Sequence, residues 1–204
     1  MSLWPAASTG FLTAFALILA IGAQNAFVLK QGIMRSHVFW VCLVCALSDA
    51  ILISAGVAGF GVIVESYPSL PRWMAMGGAA FLVFYALTRF WAAWRGGDTQ
   101  VISGVQAALW PTVLTCLALT WLNPHVYLDT LGLIGAVSTQ FTGLTQKLAF
   151  GSGAVTASFV FFFGLGYGAR ILAPVMTTPR TWQILDVLIG VLMLYLAYGL
   201  LSTR

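Results

Sequence analysis

The sequence predicts an all-α integral membrane protein: six hydrophobic helices built as two inverted three-helix repeats, with the first and fourth helices broken. Three observations carry that expectation. Of 204 residues, 60% are hydrophobic and 7% charged, whereas about a quarter of residues in soluble domains are charged. Apolar segments long enough to cross about 30 Å of hydrocarbon recur along the chain. Polar and helix-breaking residues fall at matching places in its two halves. Nine Lys and Arg with five Asp and Glu cannot cover a soluble surface, which argues against a cytosolic enzyme, a nucleic-acid binder or a disordered linker.

The expected spans are residues 8–29, 38–60, 73–94, 107–137, 148–169 and 181–200, within a single transmembrane domain over 1–204. Ahead of the first span there is no Lys or Arg, so the positive region of a cleavable signal is missing and the segment is expected to stay. Gly22-Ala23-Gln24-Asn25 interrupts it with two amides beside a glycine, a place where a helix can loosen and offer backbone groups to a ligand. The second span carries Asp49 at its midpoint, and the fourth carries Asn123-Pro124-His125-Val126-Tyr127-Leu128-Asp129-Thr130. Pro124 has no amide hydrogen and clashes with the carbonyl four residues back, freeing acceptors near Thr120 and Trp121. Short joints with Pro68, Pro71, Gly96, Gly97, Pro174 and Pro179 separate the spans, and none is long enough to hold a soluble domain.

Alternate joints divide the basic residues unequally. Lys30, Arg35, Arg89, Arg95, Arg170 and Arg180 fall on one side, against Arg72, Lys147 and Arg204 on the other. The excess marks the first side as cytoplasmic and puts both termini outside. The repeats, 8–94 and 107–200, rest on weak matches. Asn25-Ala26-Phe27-Val28 aligns with Asn123-Pro124-His125-Val126, Leu82 and Tyr85 with Leu192 and Tyr195, and Ala55, Gly56, Gly59 and Gly61 with Gly164, Gly166 and Gly168. Three crossings per copy would invert the second copy, a common transporter plan.

An Asp at a helix centre costs about 2.5–3.5 kcal/mol on insertion scales. Asp49 must therefore face protein or water, either pairing with a base such as Lys30 to hold helices together or handling a polar substrate. His125 and Asp129 are four apart, as are Asn123 and Tyr127, so each pair shares a helix face. His125 reads as a hydrogen-bonded histidine rather than a metal ligand, and no metal or cofactor is expected. Lys30 reads as a chain reaching back to the interface, and Asp186, five residues into the last span, as a near-surface residue at a helix start. Cys42, Cys45 and Cys116 read as small packing residues. Gly164 and Gly168 suit close helix contact, either within the chain or across a homodimer interface.

At these residues the chain resembles a known family. Residues 22–33, from Gly22-Ala23-Gln24-Asn25 to Ile33, Cys45-Ala46-Leu47-Ser48-Asp49, and the run from Leu119 to Thr130 are similar to the signature segments of the LysE/ArgO lysine and arginine exporters, nearest the arginine branch. Where the family commonly has Pro, this chain has Ala23, so the first break rests on Gly22 and the amides. The resemblance implies outward, secondary-active transport of basic amino acids (L-arginine, L-lysine) by a multi-pass protein of the bacterial cytoplasmic membrane. No nucleotide-binding glycine motif is present in the sequence, which agrees.

Moving one positive charge outward against an inside-negative potential costs about 2.3 kcal/mol per 100 mV, and one proton moving inward cancels it. Withdrawing a carboxyl from water favours its protonated form, so Asp49 and Asp129 are the expected proton-coupling residues. Gln24, Asn25, Asn123, Tyr127 and Asp129 are the expected substrate contacts, with Tyr127 lying over the cation. The rival from another class is a membrane thiol-disulfide electron conduit. The spacing of Cys45 and Cys116, 71 residues against a repeat shift near one hundred, argues against it.

Overall fold

The computed structural model describes residues 3–19, 22–59, 70–96, 108–176 and 178–202. The joint at 65–69, together with Phe60, Gly61, Gly97, Ala107 and Arg204, lies outside them. Within the described residues the protein is all helical. α1 spans Trp4–Ile18, α2 Ala23–Met34, α3 Val38–Val57 and α4 Leu70–Trp94. α5 spans Leu109–Trp121 and α6 Pro124–Tyr127; a π-helical stretch, Leu128–Ile134, then leads into α7, Gly135–Ser138. α8 spans Leu144–Gly168 and continues as a 3₁₀ segment, Ala169–Val175, before α9, Pro179–Ser202.

Among these residues four helices are long and apolar enough to cross a membrane, and α1 with α2 makes a fifth candidate bent by 83°. The first predicted span is thus two helices that change direction at Gly22, whose backbone is extended (φ −111°, ψ 176°). Nor does the fourth span run as one helix: α5 ends at Trp121, and a second helix, α6 continued through the π stretch and α7, starts at Pro124. Asn123 explains the cut locally. Its side chain accepts a hydrogen bond from the His125 N–H at 3.1 Å, and Pro124 takes the first helical position, where its missing donor costs nothing.

α3 lies at the centre, packed against α8, α5, the π stretch and α2, while α1 lies along α8 and α9 along α4. α1 and α8 run in the same direction, since Ala7 meets Gly153 and Phe15 meets Phe161 at the same offset. They approach backbone to backbone. A Cβ at Gly10 would sit 2.0 Å from the Phe150 carbonyl oxygen, and one at Gly153 the same distance from that of Ala7, so small residues are what let these helices pack. Gly164 and Gly168 meet nothing within 4 Å and face out of the bundle.

The matched Leu82/Tyr85 and Leu192/Tyr195 do not share surroundings. Leu82 and Tyr85 are buried, whereas Tyr195 is 72% exposed; on α9 the inward positions are Ile189, Met193 and Ala197, and Tyr195 falls between them.

Trp182 at the start of α9 packs with Ile33 of α2 and Ala169 beyond α8. This contact gathers Arg35, Arg95, Arg170 and Arg180 at one end of the molecule, as the charge count anticipates. Arg95 lies 3.9 Å above the Trp91 ring and Arg170 4.4 Å above that of Tyr167, the belt chemistry of a membrane interface. Arg35 (φ 52°) and His37 (φ 49°) turn α2 into α3 in left-handed backbone, with the Ser36 N–H returning to the Gln31 carbonyl at 3.1 Å.

Candidate functional site

The two helix breaks open onto one cavity of about 300 Å³. Gly22, Gln24 and Asn25 enter it from the start of α2, Asp49 from α3, and Asn123, His125, Asp129 and Thr130 from the second break and the π stretch. Leu17, Ile18, Leu82, Phe162, Leu196 and Leu200 supply its apolar wall. This is the composition of a small-molecule site: mostly apolar, with a few convergent polar groups.

Each break places its side chains for a local reason. Across the bend, Asn25 Nδ2 donates to the Ile18 carbonyl at 2.8 Å, tying the end of α1 to the start of α2. The neighbouring Gln24 is buried and lines the cavity at the N-terminus of α2, where the backbone dipole favours negative charge. In the second break, Tyr127 donates its hydroxyl to the Trp121 carbonyl at 2.9 Å, satisfying an acceptor of the kind Pro124 is expected to free. The π stretch adds a residue to the turn and carries Asp129 into the cavity. Such bulges are common at functional sites.

Asp49 is 3% exposed and accepts a hydrogen bond from Ser158 Oγ at 2.9 Å. Asp129 is half-buried on the facing wall. Of the residues singled out in the sequence, Gln24, Asn25, Asp49, Asn123 and Asp129 are brought together. Tyr127 is brought to the break instead and is not among the lining residues. Sequence reasoning missed Ser158, one of several hydroxyls on α8 along with Ser152 and Thr156, whose only signal was its polarity.

Comparison with known proteins follows the same residues. The family model described as LysE type translocator matches residues 15–204. The chain belongs to the LysE family of translocators. A candidate amino-acid transporter of Mycobacterium tuberculosis is 44% identical over 187 residues, covering 92% of each chain. The arginine exporter protein ArgO of Salmonella enteritidis is 40% identical over 193 residues, 94% of this chain and 90% of its own. ArgO of Yersinia enterocolitica is also 40% identical, over 94% of this chain and 93% of its own. No solved structure matches. As a LysE-family member with several helices long and apolar enough to cross a membrane, the protein is a multi-pass membrane transporter and not an enzyme.

Two readings of charge are corrected by the geometry. Lys30 does not reach back to the interface: it is 2% exposed and ion-paired with Asp186. Asp186 is not near the surface but fully buried, with Arg89 Nη1 at 3.4 Å from the same carboxylate oxygen. The alternative in which Lys30 neutralises Asp49 therefore fails, because α2 turns Lys30 toward α9 and leaves Asp49 to Ser158. The thiols meet as well: although the 71-residue spacing of Cys45 and Cys116 does not match the repeat shift, their sulfurs are 3.2 Å from each other, both fully buried, because α5 runs alongside α3.

Proposed function

We propose that this transporter is a secondary-active exporter of basic L-amino acids, arginine and/or lysine, across the bacterial cytoplasmic membrane, driven by proton antiport. The observation that carries the reading is the polarity of the cavity, where Asp49 and Asp129 share one small space with the start of α2. A basic amino acid is the complement of that arrangement. Its cationic side chain suits a carboxylate, and its own carboxylate suits a helix N-terminus with spare donors. The arginine exporters among the relatives support the same substrate class.

In this reading Gln24, Asn25 and Asn123 hold the α-carboxylate and α-amino group, and Asp129 accepts the side-chain cation. Asp49, in the drier position, carries the proton and releases it when the cation arrives. Tyr127 contributes through the break, by fixing the Trp121 carbonyl that borders it, and its ring faces the cation only when that hydroxyl lets go. The cytoplasmic side is the end that carries Arg35, Arg95, Arg170 and Arg180.

The architecture in this reading is two inverted repeats, 8–94 and 107–200. The packing supports it: α1 lies on α8 as the α5-to-α7 segment lies on α3, and each copy has one break beside an Asn. The outward-facing Gly164 and Gly168 meet lipid or a second copy of the chain.

The test is exchange of labelled arginine and lysine in proteoliposomes under imposed potential and pH gradients. Uptake and efflux that respond to both gradients are expected. Wild-type exchange indifferent to pH on both sides would remove proton coupling, and full exchange by Asp49→Asn would remove Asp49 as carrier. A cysteine-free variant that still exchanges would dispose of the thiol-disulfide reading, which the closeness of Cys45 and Cys116 otherwise keeps alive.

A further inference from the structure

Three helices carry the same succession of layers. On α2, Asn25 lines the cavity, then comes Phe27, then Lys30; on α4 the order is Leu82, Tyr85, Arg89; on α9 it is Leu196, Met193 with Ile189, then Asp186. Ten residues separate Leu196 from Asp186, about 15 Å of helix rise. The middle layer is closed, with Phe27 edge-on to Tyr85 at a centroid distance of 6.3 Å and Met193 fully buried. Beyond it Lys30 and Arg89 both contact Asp186 Oδ1, and Oδ2 is buried with no hydrogen-bond partner. The Arg89 guanidinium also lies 5.2 Å from the centre of the Tyr85 ring.

Resting on the basic-substrate reading above, we infer that Arg89 is a latch that mimics the substrate: a cationic side chain arriving from the basic end competes it off Asp186 and thereby opens the aromatic layer. The charges argue for this. The end of the molecule bearing Arg35, Arg95, Arg170 and Arg180 repels a cation, and of the three acids among the described residues two belong to the cavity. Asp186 is the third, and its Oδ2 offers a vacant acceptor. Arg89 is the partner that can leave, because its contact is the longer one and its side chain is 19% exposed while Lys30 is 2% exposed. As Arg89 swings to water it takes its cation–π contact from Tyr85, and Tyr85 is the residue that closes on Phe27. A neutral amino acid cannot replace a guanidinium at Asp186, so the latch selects charge before the substrate meets Asp49.

The test places a reporter in the closed layer: Met193→Cys in the full chain, in nanodiscs, with a methanethiosulfonate reagent and the modified peptide identified by mass. Slow labelling is expected at rest, and saturating arginine should speed it while citrulline, its neutral near-isostere, should not. Adding Arg89→Gln should raise the resting rate about fivefold, the loss of one partly exposed ion pair. Arg89→Lys should restore slow labelling, which separates a missing latch from a damaged fold. Equal rates with and without Arg89→Gln, or equal acceleration by citrulline and arginine, would overturn the inference. If the parent protein exchanges neither arginine nor lysine in proteoliposomes while Arg89→Gln still labels fast, the latch survives and the substrate reading falls.

Discussion

Asp49 and Asp186 are both aspartates on long apolar helices, 3% and 0% exposed, yet their surroundings are opposite. Asp186 is held by two cations from two other helices, Lys30 of α2 and Arg89 of α4. The partner found for Asp49 is one neutral hydroxyl, Ser158, and it borders a cavity. A buried carboxylate compensated by bases keeps a cation at all times, and one cation leaves it only as another takes its place. One compensated by a hydroxyl alone is left with demand for a cation or a proton, which a transporter can supply and withdraw. Burial is thus common to both sites, and only the partner separates holding from carrying.

The largest effect should come from Asp186→Ala, which takes from the buried Lys30 the carboxylate it pairs with and costs about 3–5 kcal/mol. Little folded protein is expected by thermal melting in detergent. Lys30→Met combined with Asp186→Met should recover most of that loss, because the deeply buried cation is then gone and Arg89, 19% exposed, can turn to water. Asp49→Asn should change melting by less than about 1 kcal/mol, since the amide oxygen still accepts from Ser158, but should abolish proton-driven arginine exchange. The contrast between the two aspartates breaks if Asp49→Asn melts as low as Asp186→Ala.

Much of the cavity's polar lining was legible in the sequence, and the ion pair at Asp186 was not. Asp49, Asn25, Asn123 and Asp129 announce themselves because polar groups at mid-span, beside Gly22 and Pro124, have few inert explanations. The direction in which Lys30 points does not. A lysine eight residues beyond Gly22 reads as an interface residue only if the helix runs straight, and the 83° bend between α1 and α2 turns it inward toward a helix more than 150 residues away. Ser158 and the Cys45/Cys116 contact were hidden for a related reason: both depend on which helix lies beside α3, and hydropathy is silent on neighbours. Tyr195, aligned with the buried Tyr85, is exposed, and hydropathy could not warn of it because apolar helices align about as well one residue out of step.

Smaller changes sharpen the comparison at the level of single hydrogen bonds. Ser158→Ala should cost about 1–2 kcal/mol and slow exchange several-fold without abolishing it, because Asp49 loses its neutral donor but keeps its place on the cavity wall. The smallest effect is expected from Tyr127→Phe, about 1 kcal/mol or less, since only the bond to the Trp121 carbonyl is removed and the ring still packs against Trp121. Its effect on transport tells more than its effect on stability. If Tyr127 acts by fixing the break, Tyr127→Phe lowers the maximal exchange rate and leaves the half-saturating arginine concentration unchanged. A weakened apparent affinity at an unchanged maximal rate would put the tyrosine against the substrate, and would mean that the break opens further during transport than its closed hydrogen bond suggests.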